Sequence, residues 1–338
     1  MAVSELVSAF DELFLPFNRS DAPGLTVGIA QHGKLLYRRG FGLASLEHAE
    51  ANMPTTRFRI GSTSKHFTSL LALLLAEDGK LDLDAPTRRY IPELTGPSGE
   101  PTLRQLLQHR GGSRCHVDVG FLAHGLAIAS RGNALAMQVR QTSRNFAPGR
   151  AMIYNNSGYH LVSIAIERAN RAPFEEQLKQ RLFGPVGMVD TAPIPSDSII
   201  VPGTILGEIA IGLDEAVQGK GLTVRFGGQS TVYGKVSKDT ADVEVFATAS
   251  AGQYYSGDAE CTAVIIKDGK NLMLRCDDPY GQIESELICL GETVARGAYP
   301  LWGGYTSLSF SGQDGQITEF QLNSMRTRGL TFKRKLAS

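Results

Sequence analysis

Hydrophobic and polar positions change their period along this chain, and the change divides it. The N-terminal run MAVSELVSAFDELF sets Glu5, Asp11 and Glu12 among apolar residues at helical spacing, which predicts an amphipathic helix. Leu25 to Gln31 and Lys34 to Phe41 flank His32-Gly33 and predict a two-stranded hairpin. Phe67 to Glu77 (FTSLLALLLAE) is apolar nearly all round, the pattern of a helix buried on every side. Leu103 to His109, Leu161 to Ala169 and Phe174 to Phe183 predict shorter helices, several opened by Pro, Ser, Thr or Asn. After Leu222 the period shortens to that of strands: Leu222 to Phe226, Asp242 to Thr248, Cys261 to Lys267, Asn271 to Cys276, Glu286 to Leu290, Ser307 to Ser311 and Ile317 to Asn323. Asp268-Gly269 and Asp314-Gly315 sit between pairs of these runs as hairpin turns. A small sheet with many helices, followed by many short strands, predicts an α+β fold with a small antiparallel barrel or sandwich after it.

The stretch Thr191 to Gly207 has no clear period and contains three prolines and two glycines, so the domain boundary is expected there. All seven histidines precede it. The expected division is 1–198, 206–248 and 249–338, within the two or three domains that 338 residues suggest. The 34 Lys and Arg balance 34 Asp and Glu, so no overall charge draws the chain to nucleic acid or an anionic membrane. The longest apolar run, Leu70 to Ala76, is far short of the roughly 18 residues of a membrane span. The acidic residues of the N-terminal helix do not fit a signal peptide. Cys115, Cys261, Cys276 and Cys289 lack C-x-x-C spacing, which predicts reduced cysteines used as small buried hydrophobes and a cytoplasmic protein.

Ser62-Thr63-Ser64-Lys65 follows an extended segment, Thr56 to Ile60, and a glycine, at the start of the most apolar helix. Residues three apart share a helix face, so a neutral Lys65 amine can take the Ser62 proton there. Apolar surroundings favour the neutral amine, and the helix N-terminus favours developing negative charge. Alone, the spacing is weak, since about one such match is expected by chance in a chain this long, and a capping serine beside a surface lysine would explain it equally well. A second candidate is Pro148-Gly149-Arg150-Ala151-Met152-Ile153-Tyr154-Asn155-Asn156-Ser157-Gly158-Tyr159, where Tyr-x-Asn lies in a turn-rich loop before a helix. With Thr102 to His109 (TLRQLLQH) and Leu182 to Met188 (LFGPVGM) followed by Asp190-Thr191, these segments resemble the penicillin-recognising serine hydrolases, in the branch of class C β-lactamases, D-aminopeptidases and DD-carboxypeptidases. The resemblance runs in order through nearly all of residues 10–195.

The resemblance implies a β-lactamase-like fold in which Ser62 is the acylated nucleophile and Lys65 its base. Tyr154 would deliver a proton to the leaving group, and Asn156 would orient the lysine and the substrate carbonyl. It implies no cofactor and no metal, and a small peptide or amide as substrate. His66 and His160 are expected to pack or cap. The family's third motif, Lys-Thr-Gly or His-x-Gly, has no match: no histidine follows His160, and Lys267-Asp268-Gly269 reads as turn chemistry. The β-rich part begins where the family's catalytic domain continues, so an internal deletion near Ser196 to Leu206 is expected. The surface it leaves would promote aggregation or pairing of two copies as a homodimer, or mark a gene-model artefact.

Gly252 to Ser256, Asp314 to Phe320 and the closing Arg-Gly-Leu-Thr-Phe-Lys-Arg resemble the C-terminal β-barrel of D-aminopeptidases, with 206–248 the remnant of a first barrel. A loop over Gly291 to Gly304, with the single tryptophan Trp302 as a substrate contact, would then reach the site, although no acidic residue follows Glu292 in it to hold an ammonium. An ordinary long hairpin loop is the plainer reading. The function implied is release of N-terminal D-residues such as D-Ala from short peptides or amides through an acyl-enzyme. The alternatives are a β-lactamase-like esterase or carboxypeptidase, and an inactive truncated homologue that only binds.

Overall fold

His32 and Gly33 both take positive φ, 49° and 74°, the combination a two-residue hairpin turn needs to match the twist of its strands. They join β1 (Leu25–Gln31) to β2 (Lys34–Phe41), which pair antiparallel from Leu25↔Phe41 to Gln31↔Lys34. The computed structural model describes residues 3–124, 132–193, 221–226, 229–234, 243–268, 271–278, 281–291, 293–298, 305–313, 316–324 and 326–335. Its compact units are Met1–Ser64 and Lys65–Ser338. The boundary and deletion expected near residues 196–206 lie outside the described residues.

In the first unit the amphipathic helix α1 (Val3–Phe14) packs on β2. Phe10 meets Tyr37 at 5.4 Å between ring centroids and Phe14 meets Phe41 at 5.8 Å. Asp11 accepts the Tyr37 hydroxyl at 2.7 Å and pairs with Arg39. A short pair, β3 (Leu43–Ser45) and β4 (Glu50–Ala51), follows, and Gly61–Thr63 form a 3₁₀ turn that runs into α2 (Ser64–Glu77).

The second unit has a helical core. Leu71, Ala72 and Leu75 of α2 are fully buried against α3 (Leu103–Leu107) and α6 (Asn156–Asn170). Here the expectation of a helix buried all round fails: Leu70 and Leu73 are 46% and 52% exposed. Composition cannot distinguish the two faces; only the packing of neighbours along one stripe does. α3 starts with a capping box, Thr102 Oγ1 accepting from Gln105 N at 3.2 Å and Gln105 Oε1 accepting from Thr102 N at 3.0 Å. The remaining helices are α4 (His116–His124), α5 (Asn133–Val139) and α7 (Phe174–Leu178), which continues as a π-helical turn, Lys179–Phe183.

After the hairpin β5 (Gly221–Phe226) and β6 (Gln229–Gly234) comes α8 (Val243–Ser250), where a strand over Asp242 to Thr248 is expected from the sequence. The helix wins because Phe246, Ala247 and Ser250 fall on one buried face, Phe246 meeting Phe310 edge to face at 5.0 Å. The rest is a closed eight-stranded antiparallel barrel: β7 (Gly252–Ser256), β8 (Cys261–Asp268), β9 (Asn271–Asp278), β10 (Gly281–Gly291), β11 (Val294–Ala298), β12 (Tyr305–Gln313), β13 (Gln316–Asn323) and β14 (Leu330–Arg334), closed by β14 on β7. The α+β class thus holds, and closure decides between barrel and sandwich. Side chains fill the barrel: Tyr254, Phe320 and Phe332 are wholly buried, and the last two stack at 4.8 Å. All four cysteines are buried. β11 occupies part of the expected loop over Gly291 to Gly304, while Trp302, Gly269 and the pair Asp314-Gly315 lie outside the described residues. Among the described residues no helix is long and apolar enough to cross a membrane.

Candidate active site

Thr56 to Ile60 runs without regular structure into Gly61, whose φ of 49° turns the chain into the Gly61–Thr63 turn. Ser64 Oγ ties that turn by donating to Gly61 O at 2.7 Å. Ser62 is exposed in this turn, at the end of the first unit, and Lys65 opens the second three residues later.

Lys65 is half-buried and donates from Nζ to Asn156 Oδ1 at 2.8 Å, across 91 residues of chain. Asn156 is there because the residue before it caps α6: Asn155 Oδ1 accepts from Ser157 N at 2.7 Å and Gly158 N at 3.3 Å. Capping and site chemistry, alternatives at the sequence level, are shared between adjacent asparagines. Lys65 Nζ also lies 5.0 Å from the centroid of the Tyr154 ring and 5.5 Å from that of Tyr159, within cation–π range. Tyr159 is anchored by its hydroxyl, which donates to Leu107 O at 2.9 Å. Tyr154 is 37% exposed. Lys65, Tyr154 and Asn156 are thus brought together. Trp302 is outside the described residues.

Three groups around this set are not singled out by spacing. His109 has its ring 4.5 Å from Tyr154 and 5.2 Å from Tyr159, and its Nδ1 accepts from Asn155 N at 3.1 Å. Burial first, and the Lys65 charge second, hold its imidazole below the usual range. His116 and His160 lie 5.7 Å apart. Burial first, then His160, lowers His116 to about 4, and burial lowers His160 as well. Lys65 therefore stands beside two imidazoles, His109 and His116, whose protonation burial and the lysine charge both disfavour. His66 is exposed on α2, while His160 packs as expected. Among the described residues no three His, Cys, Asp or Glu side chains gather as a metal site requires.

The loop is braced from behind. Asn155 Nδ2 donates to Ser113 O at 2.6 Å, and Ser157 Oγ accepts from His116 N at 2.6 Å and Gln138 Nε2 at 3.0 Å. Next to Ser113, the Arg114 side chain is 1% exposed and reaches the barrel, pairing with Asp258 at 3.0 Å and donating to Gly329 O at 2.7 Å. A second buried pair of opposite polarity joins Asp118 to Arg326 at 2.6 Å. The barrel is thereby fixed to the segment around Ser113, against which Asn155 is braced.

A family model for beta-lactamase matches residues 4–249. A D-aminopeptidase of Gluconobacter oxydans is 31% identical over 196 residues, 55% of this chain and 37% of that protein. Penicillin-binding protein 4* of Bacillus subtilis is 30% identical over 170 residues, 49% of this chain and 37% of that protein. Among solved structures, the D-alanine carboxypeptidase AmpC from Burkholderia cenocepacia aligns with 28% identity and a TM-score of 0.42, over 55% of this chain and 48% of that one. The chain thus spans little more than a third of the length of the curated relatives it matches.

Proposed function

This chain belongs to the beta-lactamase family, and from that premise we propose that it is a serine hydrolase that releases N-terminal D-amino acids, D-Ala-like in size, from short peptides or amides. The observation that carries the reading is the 2.8 Å hydrogen bond from Lys65 to Asn156 beside the Tyr154 ring, in which two motifs 91 residues apart converge. The D-configured substrate is supported by the D-aminopeptidase relatives. In the proposed reaction the Lys65 amine takes the Ser62 hydroxyl proton as Oγ attacks the amide carbon. Tyr154 passes a proton to the departing amine, leaving an ester on Ser62, and water attacks that ester through the same pair to release the acid. Asn156 holds the lysine in place.

The test is release of nitroaniline from D-alanine and L-alanine nitroanilides by this protein and by Ser62→Ala. Release from the D-substrate that disappears in the variant is expected. Equal silence from both overturns the hydrolase reading and leaves the second one, a homologue that binds without turnover, which the missing Lys-Thr-Gly or His-x-Gly motif favours.

A further inference from the structure

Resting on that assignment of Lys65 and Tyr154, we propose that His109 is a positioning residue of this site: its ring accepts the Asn155 N–H and backs the Tyr154 ring, so that the Tyr154–Asn156 loop presents phenol and amide to Lys65. Three independent contacts converge on this one residue. Its Nδ1 accepts from Asn155 N at 3.1 Å, its carbonyl accepts from Ile153 N at 3.1 Å, and its imidazole lies 4.5 Å from the Tyr154 centroid. The loop is thus held on both sides of Tyr154 by His109, main chain before and side chain after. His109 also keeps φ at 58°, in the left-handed region that few non-glycine residues enter, although histidine does so more readily than most. Such strain persists only where surrounding contacts impose it.

The Nδ1 lone pair gives the device a condition. An imidazolium carries N–H at both nitrogens, so a protonated His109 would meet the Asn155 N–H donor to donor. The groups facing the ring are Lys65, Tyr154 and Tyr159, and the neighbouring Arg110 turns away to Gly149 O. A proton on the ring would also be disfavoured by burial and by Lys65 beside it. The burial and charge that lower its pKa keep the ring unprotonated and the loop held at neutral pH.

His109→Asn and His109→Ala separate the proposal from a bulk structural effect. Asparagine tolerates the left-handed conformation and offers Oδ1 where Nδ1 now accepts, whereas alanine offers no acceptor. Labelling of Ser62 by a serine-reactive phosphonate is followed by mass from about pH 4.5 to 8.5, with a thermal melt of each variant, since this range brackets imidazole titration. Wild type is expected to label with an acid limb. His109→Asn should keep the rate within a few-fold at high pH and lose that limb, while His109→Ala, still folded, should label roughly 10- to 100-fold more slowly. Equal labelling by a folded His109→Ala, or an unchanged acid limb in His109→Asn, overturns the proposal. A wild type that never labels overturns the acyl-enzyme reading instead, and His109 is then judged by ¹⁵N resonances of its ring. An Nε2–H tautomer whose titration moves the Asn155 amide upholds the role, and an Nδ1–H tautomer refutes it.

Discussion

Asp258→Asn tests what holds the barrel to the helices behind the site. Arg114 Nη1 meets Asp258 Oδ2 at 3.0 Å with the arginine side chain 1% and the aspartate 10% exposed. The other Asp258 oxygen accepts from Thr142 N at 3.1 Å and Thr142 Oγ1 at 2.9 Å, bonds that an asparagine oxygen can still accept. The substitution therefore removes the charge and, with Oδ1 kept on Thr142, turns the amide Nδ2 donor toward the Arg114 N–H that Oδ2 accepted. Two unit charges about 4 Å apart at an effective dielectric of about 20 attract by ~4 kcal/mol, and leaving one member of a buried pair uncompensated costs about 3–5 kcal/mol. The guanidinium keeps neutral acceptors at Ser143 O (3.0 Å), Ser143 Oγ (2.8 Å) and Gly329 O (2.7 Å), which places the expected loss near ~3 kcal/mol. At roughly 2–4 °C per kcal/mol this is a fall in Tm of about 6–12 °C. Melts followed by circular dichroism should show the same fall at low and high salt, because a pair this buried is poorly screened. A variant melting within about 2 °C of wild type, or one whose deficit shrinks in salt, refutes the argument that this charge pair locks the barrel in place.

Within α2, Leu71→Ala should cost about 2–5 kcal/mol in urea unfolding, because Leu71 is fully buried. Leu73→Gln, at a position 52% exposed, should change stability by less than about 0.5 kcal/mol; equal costs would mean the exposed stripe is covered. His116 links stability to pH: unfolded, its imidazole takes a proton near 6.5, folded only near 4. Its contribution is therefore complete above pH 6.5 and falls by up to ~1.4 kcal/mol per pH unit towards pH 4, and His116→Asn should flatten that slope in pH-dependent melts. Gly112→Ala should destabilise by about 2 kcal/mol or more, since φ there is 81° and a Cβ would stand 2.0 Å from Phe146 O; a neutral urea midpoint would refute this.

The candidate site motifs were legible because each is a local event. Ser62 and Lys65 stand on a turn that becomes a helix, and Tyr154 precedes a helix that Asn155 caps and Asn156 opens. Their convergence was legible only through family resemblance. Nothing in the TLRQLLQH segment shows that His109 would enter the left-handed region and accept from a residue 46 positions later. The two-residue turns of the C-terminal part announced hairpins, and Gln313↔Gln316 and Asp268↔Asn271 pair as those turns require.

By itself the sequence determined the elements whose stabilising contacts lie within a few residues: the His32-Gly33 hairpin, the capping box of α3, the barrel hairpins and the motif-bearing turns. Tertiary structure alone decided the rest. It closed β14 on β7 by pairing Lys333 with Tyr255, turned a strand-like VEVFATAS into α8 by burying one of its faces, exposed Leu70 and Leu73 on a helix apolar all round, and set Lys65 against Asn156. The physical reason is the same in each case. Periodicity states which side of an element is apolar, but which neighbour covers that side depends on chain closure over tens to hundreds of residues, and no local pattern encodes that choice.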